Sequence, residues 1–330
     1  MQPEDARFPA VDPNAGHYES FYLKCGDAVS RRGLWLRYTV HKPPGAAAVG
    51  SLWATLFDEQ GPHAAKLSPP PEQLHGGGTD DWVRIGEARI GPDGCSGAVP
   101  DLAMWELRFE GGEPPFPYLP SGWMYTAKLP RTKALSLRPA IRVSGTVTVR
   151  GRTVTIDAWP GMVGHNWGAE HAERWIWLHG TDFGTQPGAW LDATIGRIKV
   201  GRWTTPWVAN GALSLDGVRH RLGGLGKTRA VKVAERPERA AFTLPGDGLV
   251  VRGEVSAPRA DVVGWIYSDP VGAGGDQHHH TAHCAIADMT LTVLRPDHPP
   301  LTLEVSGGAT YELGMREHDH GIPIQPFSDP

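Results

Sequence analysis

Short segments in which apolar and polar side chains alternate recur along the whole chain, and they constrain its fold more than any other feature. Between Gly33 and Val40 every second side chain is Leu, Tyr or Val, and similar segments follow in both halves of the chain. A period of two is typical of β-strands with one buried face. The dipeptides Arg150-Gly151 and Asp216-Gly217 each predict a tight turn between two such strands. The sequence therefore predicts an all-β chain.

The composition fits many short elements joined by turns. Glycine (42) and proline (30) are frequent among the 330 residues, and both residues are common in turns. The segment 60–81 is rich in both and is expected to form a long surface loop. A chain of this length can form two domains, and its two halves share the same strand-like rhythm. We therefore expect two β-rich domains, residues 1–155 and 156–330.

The charge and motif content argue against several partners and cofactors. Lys and Arg (32) nearly balance Asp and Glu (36), the net charge is −4, and no basic stripe indicates a nucleic-acid partner. The three cysteines are scattered and predict neither a metal site nor a disulfide framework. No nucleotide-binding fingerprint and no nucleophile elbow occurs in the context that each requires.

The sequence also bears on the location of the protein. No apolar stretch approaches the length of about 18 residues that a membrane-spanning helix needs. The acidic N-terminus, Met1 to Asp5, lacks the apolar core of a secretory signal. We therefore expect a cytoplasmic protein without a transmembrane segment. Nothing in the sequence indicates its oligomeric state.

The segment richest in chemically versatile side chains begins at Gly164-His165-Asn166-Trp167-Gly168. Glycines on both sides of the His-Asn-Trp triplet permit a sharp bend or a close approach of another backbone. In the strand predicted next, Trp175, Trp177 and His179 lie on one face. A face that carries two indoles and an imidazole is an unusual lining for a plain hydrophobic core.

The 164–168 segment, followed by a Trp-x-Trp strand, resembles the barrel junction of a family of lipocalin-like two-barrel proteins. That family contains carotenoid 1,2-hydratases (hydroxyneurosporene synthases), tocopherol cyclases and lipocalin-like Diels–Alderases. The resemblance implies two lipocalin-like (calycin-type) antiparallel barrels packed in tandem. The second barrel, from residue 156 onwards, would carry the His-Asn-Trp junction. This chain departs from the pattern at Gly164, where hydratase-like members have an acidic residue.

Three residues are candidates for proton transfer. His165 can act as an acid or a base near neutral pH, or it is a structural histidine bonded to the backbone. Asp192 is predicted to share a face with Trp190 and Thr194, and burial in an apolar barrel would raise its pKa and keep it protonated as a proton donor. Asp182, near the end of the preceding strand, is an alternative donor. The competing interpretation places Asp192 on the solvent face.

A second group of residues is predicted to bind the substrate. Indole faces attract positive charge, by about 1–2 kcal/mol when desolvated, so a tryptophan-lined cavity suits an apolar ligand that passes through a carbocation. The alternative is that the tryptophans only fill the barrel. The predicted substrate-binding residues are Asn166, Trp167, Trp175, Trp177, His179 and Trp190.

The histidine-rich run His278 to His283 contains the residue types that bind zinc or copper. Consecutive histidines in a strand point to alternate faces, however, so at most two of them would converge on one ion. Other ligands would have to come from elsewhere in the chain. The sequence therefore predicts no metal site and no cofactor.

Two classes of function remain open. The first is a cofactor-free enzyme, a hydratase-like lyase or an isomerase or cyclase, that acts by acid–base chemistry on an isoprenoid- or polyketide-like substrate in a barrel cavity. The second is a non-catalytic carrier of a hydrophobic small molecule, since a barrel fold supports both. Titratable groups facing the cavity would favour the enzyme, and an entirely apolar cavity would favour the carrier.

Overall fold

The computed structural model describes residues 4–78, 80–200, 202–270 and 278–327, and nearly all of its regular structure is antiparallel β. The all-β prediction is confirmed. Five short 3₁₀ helices also occur in the described residues: Phe8–Ala10, Pro71–Gln73, Gly122–Tyr125, Leu225–Ala230 and Arg259–Asp261. None of the helices in these residues is long and apolar enough to cross a membrane.

The first half of the chain forms one curled sheet. Its strands are β1 (His17–Asp27), β2 (Arg32–Lys42), β3 (Val49–Asp58), β4 (Gly61–Leu67), β5 (Leu74–Gly76), β6 (Val83–Ile85), β7 (Ala88–Gly91), β8 (Gly94–Val99), β9 (Ala103–Gly111), β10 (Phe116–Pro117), β11 (Thr132–Val149) and β12 (Arg152–Gly168). The strand order is β4-β3-β2-β1-β12-β11-β9-β8-β7-β6-β5, with β10 also paired to β11.

The second half forms another curled sheet of the same kind. Its strands are β13 (Arg174–Phe183), β14 (Gln186–Arg197), β17 (Val208–Leu215), β18 (Val218–Gly223), β19 (Lys232–Arg236), β20 (Arg239–Pro245), β21 (Val250–Ser256), β22 (Val263–Ser268), β23 (His278–Leu294) and β24 (Leu301–Met315), while β15 (Lys199–Val200) and β16 (Trp203–Thr204) form a separate small hairpin. The order is β18-β17-β14-β13-β24-β23-β21-β20-β19, with β22 on β23.

Both predicted hairpin turns are confirmed. Arg150-Gly151 joins β11 to β12, and Asp216-Gly217 joins β17 to β18. All four residues have positive φ angles, of 51°, 76°, 53° and 75° in chain order. Two successive positive φ values match the right-handed twist of the flanking strands in a two-residue turn, and glycine at the second position adopts such a value without strain.

Two sequence-based expectations differ from the structure. The segment 60–81 is more than a loop, because β4 pairs along β3 and buries Ala64 and Ala65. The expected domain division at 155/156 falls inside β12, which pairs with β1 as far as Gly168. The chain passes to the second sheet only between Gly168 and Arg174. The His-Asn-Trp segment therefore lies in the last strand of the first sheet.

The two faces of each sheet have different partners. On β1, Phe21 and Leu23 belong to the core of the first barrel, whereas Tyr22 belongs to a core cluster shared with the second sheet. On β13 of the second sheet, the ring of Trp177 contacts Tyr22 edge-on, with 5.1 Å between the ring centroids. The two barrels are thus packed through their outer faces.

A lysine is buried in this contact between the sheets. Lys24 of β1 is fully buried, and its Nζ donates a hydrogen bond to the backbone carbonyl of Gly308, at 2.6 Å, on β24. Burial lowers the pKa of Lys24 to about 8. A charged ammonium group here opposes docking of the sheets, because burial penalises the charged form.

We expect the stability contributed by Lys24 to increase with pH. The folded-state pKa lies below the unfolded value, so the unfolded chain binds more protons between about pH 8 and 10.5 and stability rises across that interval. Relative to Lys24→Met, the free energy of unfolding of the parent should increase by about 2 kcal/mol between pH 7 and 10, as measured by denaturant titration. The exposed Lys232→Met is the control. A pH-independent difference between the parent and Lys24→Met would contradict the expectation.

Candidate functional site

A cavity of about 460 Å³ lies between the outer faces of the two sheets. Aromatic side chains make up much of its wall: Tyr18, Tyr22, Trp35, Tyr118, Trp123, Trp175, Trp177 and Tyr267. Polar side chains interrupt this wall at a few positions: Arg37, Thr132, Asn166, His171, Thr194, Thr205, Asn210 and Glu312. The size and the mainly apolar lining are typical of a small-molecule site.

The alternation of the strands explains why the cavity lies between the barrels rather than inside one. The cavity side chains Trp35 and Arg37 on β2 alternate with Leu34 and Leu36, which pack inside the first barrel. The interior of this barrel is filled by its own side chains, as in other small barrels. The expected barrel-lumen cavity is therefore replaced by an inter-barrel cavity.

Glu312 on β24 is the acidic residue in the cavity wall. Its two oxygens accept hydrogen bonds from Trp175 Nε1 at 2.9 Å and from Tyr267 Oη at 3.3 Å, and His283 Nδ1 lies 3.1 Å from Oε2. Burial would raise the pKa of Glu312, but the hydrogen bonds from His283 and Trp175 and the charges of His283 and Arg37 outweigh it, so the pKa is lowered. Glu312 is thus held as a carboxylate.

The pKa of Asp192 on β14 is shifted in the opposite direction. It is completely buried, and burial raises its pKa. The nearby hydroxyls of Tyr118 and Ser136 and the indole of Trp177 reduce this increase without cancelling it. Trp177 Nε1 donates to Oδ1 at 3.0 Å, while Oδ2 has no hydrogen-bond partner among the described residues. A carboxyl group in such surroundings is stabilised in its protonated form.

Tyr22 lies next to the wall residue Trp177, which is bonded to Asp192. Burial raises the pKa of Tyr22 far above the ordinary value. Tyr22 and Tyr118 line the cavity, whereas Asp192 is joined to the lining through Trp177. Two carboxyl groups whose pKa values are pushed apart are a common arrangement for acid–base work.

The structure brings some of the sequence-predicted residues to the cavity. Asn166, Trp175 and Trp177 line it, and Asp192 bonds to one of its walls. Trp190, completely buried, packs behind Tyr118 and donates its Nε1 hydrogen bond to Glu113 at 2.7 Å. The predicted residues thus form part of the cavity wall. The predicted acid, Asp192, is bonded to this wall from behind.

Other predicted residues lie elsewhere. His165 and Trp167 point into the first barrel, because they share the inward face of β12. His165 Nε2 lies 2.7 Å from Glu19 Oε1, and its ring stacks on Phe21 at 4.0 Å. His165 thus has a structural position, as in the alternative interpretation, but its Nε2 contacts the Glu19 carboxylate and not the backbone.

Two further predicted residues also lie away from the cavity lining. Asp182 lies near the end of β13 at a β-bulge, where its φ is 51°, and it forms an exposed ion pair with Arg142 at 2.8 Å. His179 is buried near Lys24, and burial and the charge of that lysine lower its pKa well below the ordinary value. Asp182 is therefore not a cavity acid, and His179 is a neutral side chain of the contact between the sheets.

Several cavity residues were not singled out in the sequence. Tyr22, Tyr118 and Glu312 come from segments far apart in the chain, and each occupies a position that alternation alone assigns to an ordinary strand or loop. The one local signal was Glu312, a charged residue within the otherwise apolar and small-residue segment 309–315. Their convergence depends on the docking of the two sheets.

One group of residues in the described part of the chain has the composition of a metal site. His171, which lines the cavity, Asp269 and His279 place ligand atoms within 4.8 Å of one another. Asp269 and His279 are both buried. Burial lowers the pKa of His279 to about 3, so its ring is neutral at pH 7.

Apolar side chains surround the mouth of the cavity. Trp123 is 67% exposed, Leu129 62% and Leu225 65%, and all three line the cavity together with the exposed Ile198. Exposed large apolar side chains are otherwise scattered singly on protein surfaces. Their grouping at this mouth indicates a path for an apolar molecule.

Comparison with known proteins gives few named relatives. No protein-family model matches the chain. An uncharacterized protein of Mycobacterium tuberculosis, found in two strains, is 27% identical over 256 residues, which cover 71% of this chain and 76% of the relative.

Two solved structures share the architecture. A protein from Nitrosomonas europaea described as an AttH has a TM-score of 0.57 at 13% identity, covering 96% of this chain and 98% of that protein. Kievitone hydratase from Nectria haematococca has a TM-score of 0.50 at 11% identity, covering 92% and 89%. The chain therefore has the tandem lipocalin-like two-barrel fold of these proteins.

Proposed function

We propose that the protein is a hydratase-type enzyme that adds water to, or rearranges, a carbon–carbon double bond of an apolar substrate held between the barrels. The observation that carries this proposal is the pair of carboxyl groups at the cavity wall: Glu312 lines the cavity, and the buried Asp192 accepts a hydrogen bond at 3.0 Å from the wall residue Trp177. The pKa of Asp192 is raised and that of Glu312 is lowered. Kievitone hydratase shares the fold, and its name is consistent with hydration.

Asp192 supplies the proton in this proposal. Its carboxyl lies behind Tyr118 and Tyr22, so the proton reaches the substrate through a phenol that gives up its own proton and receives one from Asp192. A pKa raised towards the working pH makes a carboxyl an effective donor. Water then adds to the resulting cation, and the proton that the added water loses passes back through the same phenol to the carboxylate of Asp192, so no net proton is consumed.

Glu312 and the aromatic wall stabilise the cation. Trp175 and Trp177 expose indole faces to the cavity, and Glu312 adds a fixed negative charge between Trp175 and Tyr267. An ionised group held in place by hydrogen bonds needs no reorganisation when charge develops. The cavity therefore differs from a purely apolar carrier site.

The substrate is proposed to be isoprenoid- or polyketide-like, because the wall is aromatic and the mouth is apolar. Incubation of the protein with a panel of such alkenes in water labelled with heavy oxygen tests the proposal. Label in an alcohol product supports hydration, and an unlabelled isomer supports rearrangement. Tight binding of panel members without any product would favour the carrier. The predicted cytoplasmic location is a separate proposal that this assay leaves untouched.

The first prediction concerns the acid. Asp192→Asn keeps the shape and the acceptor for Trp177 but cannot donate a carboxyl proton, so turnover should fall by about 100- to 10,000-fold. Asp182→Asn is the matched control, since Asp182 forms only an exposed ion pair, and its turnover should stay near that of the parent. Equal rates for the two variants would remove Asp192 from the mechanism.

The second prediction needs no substrate. The pKa of Asp192 is higher in the folded chain than in the unfolded one, so the folded state loses stability as pH rises above about 4 and the buried group must ionise. Asp192→Asn lacks this penalty. Its melting temperature relative to the parent should therefore be higher at pH 8 than at pH 4. A difference that is constant with pH would show that Asp192 ionises as readily in the folded chain as in water.

The third prediction concerns the mouth. Replacing Trp123 and Leu225 by serine should weaken binding of the apolar dye Nile red by about 3- to 10-fold, as expected for about 1 kcal/mol of lost apolar contact. Met104→Ser and Val218→Ser remove apolar side chains that are similarly exposed but lie outside the cavity lining, and they serve as controls. If all four substitutions weaken the fluorescence titration alike, the dye does not enter through this mouth.

A further inference from the structure

His279 is a buried polar side chain whose hydrogen-bonding groups are not satisfied by the described residues. Its side chain is completely buried on β23, yet neither ring nitrogen has a hydrogen-bond partner among the described residues. The carbonyl of Ala172 lies near enough to raise its pKa slightly, but not in hydrogen-bonding geometry. An unsatisfied buried polar group costs about 1–3 kcal/mol, and in folded proteins such groups commonly bind an ordered water or an ion.

A second imidazole beside it also has an unused nitrogen. His171 Nδ1 lies 2.7 Å from Asp269 Oδ1, and its Nε2 is buried without a partner among the residues described. Among the potential ligand atoms, His171 Nδ1 and Asp269 Oδ1 are therefore already next to each other. An ion bound by both residues takes the place of the hydrogen between these two atoms, and that hydrogen leaves as a proton.

The surroundings hold the His171 ring in one orientation. It stacks on Tyr18 at 4.0 Å and on Trp175 at 5.5 Å between ring centroids. The backbone N–H of His171 also donates to Asp269 Oδ1, at 2.7 Å. The ring is thus fixed in the position that brings Nδ1 next to Asp269.

We propose that His171, Asp269 and His279 form a site for a divalent transition metal, with zinc the best fit. Two imidazoles and one carboxylate are a frequent ligand set for zinc, and their ligand atoms already lie within 4.8 Å of one another. Tetrahedral ligation needs a separation of about 3.3 Å, so small side-chain rotations close the site. Because His171 lines the cavity, the proposed ion would lie at the cavity wall.

The sequence alone led to the opposite expectation for the histidine run. Adjacent histidines do diverge: His280 Nδ1 lies 2.8 Å from His320, while His283 contacts Glu312. Among the described residues of this run, His279 is the histidine that joins a group of three potential ligands, with His171 and Asp269. Arg316 Nη2 lies 3.5 Å from Asp269 Oδ2 and its Nε lies 3.3 Å from Glu173, so Glu173 offsets the positive charge next to the site.

The test uses the full chain without a histidine tag. After treatment with a chelator, the protein is dialysed against zinc or cobalt, and bound metal is measured by elemental analysis. We expect about one ion per chain, and with cobalt an intense visible absorption typical of tetrahedral ligation. A value near zero, or an absorption typical of cobalt in water, overturns the proposal.

Variants locate the ion. His279→Gln and Asp269→Asn should each weaken binding by at least about 10- to 100-fold, the loss found when even a supporting group is removed. His280→Ala is the matched control, because it removes a neighbouring histidine of another cluster, and it should bind like the parent. Binding that survives in His279→Gln or disappears in His280→Ala places the ion elsewhere and overturns the proposal. Each variant is first checked for an unchanged melting profile in the metal-free form.

The proposed metal site can be tested independently of the proposed hydratase function. Asp192→Asn should bind the metal normally, since Asp192 is not among the three ligands. Loss of metal binding in that variant would show that the two regions are one site and would contradict the assignment of ligands made here.

Discussion

The packing of two curled sheets through their outer faces is the constraint on which the rest of the structure depends. Each sheet has an inner face that closes its own barrel, so the outer faces that meet must be compatible with burial as well. They carry Lys24, Arg37, His179, Asp192 and Glu312, all of them buried. Burying such groups is unfavourable unless they are paired or neutral. The hydrogen bonds and protonation states of the candidate site follow from the burial of these groups.

The two buried carboxyl groups differ in their surroundings, and they therefore differ in their protonation state. Glu312 stays ionised because three neighbouring side chains supply hydrogens to its oxygens. Burial raises the pKa of Asp192, and the hydrogen bond from Trp177 and the nearby hydroxyls of Tyr118 and Ser136 do not cancel this effect, so the acid form is stabilised. The indole of Trp177 thus forms part of the cavity wall and also donates a hydrogen bond to the buried carboxyl group of Asp192. Small differences in hydrogen bonding separate an acid from a carboxylate within one buried layer.

Sequence patterns predicted what depends on neighbours along the chain. Alternation identified β13 and placed Trp175 and Trp177 on one face, and turn residues located two hairpins. Contacts between distant segments were not accessible in this way. Alternation puts His165 and Trp167 on one face of β12, but only its pairing with β1 shows that this face is the inner one. The position of Asp182 depends on a β-bulge with positive φ in β13 that no local pattern indicated. His279 illustrates the same limit, since its partners come from the end of β22 and from the connection before β13.

The location of the cavity follows from the size of the barrels. Side chains such as Phe21, Trp105 and Trp159 pack inside the first barrel. Space remains where two convex surfaces meet, because curved sheets touch along a limited area. A ligand in that space contacts residues of both sheets, for example Tyr22 on β1 and Trp177 on β13. Any molecule that binds there more tightly when the sheets are docked must stabilise their docking by the same free energy. Ligand binding and the contact between the barrels are therefore linked by the architecture itself.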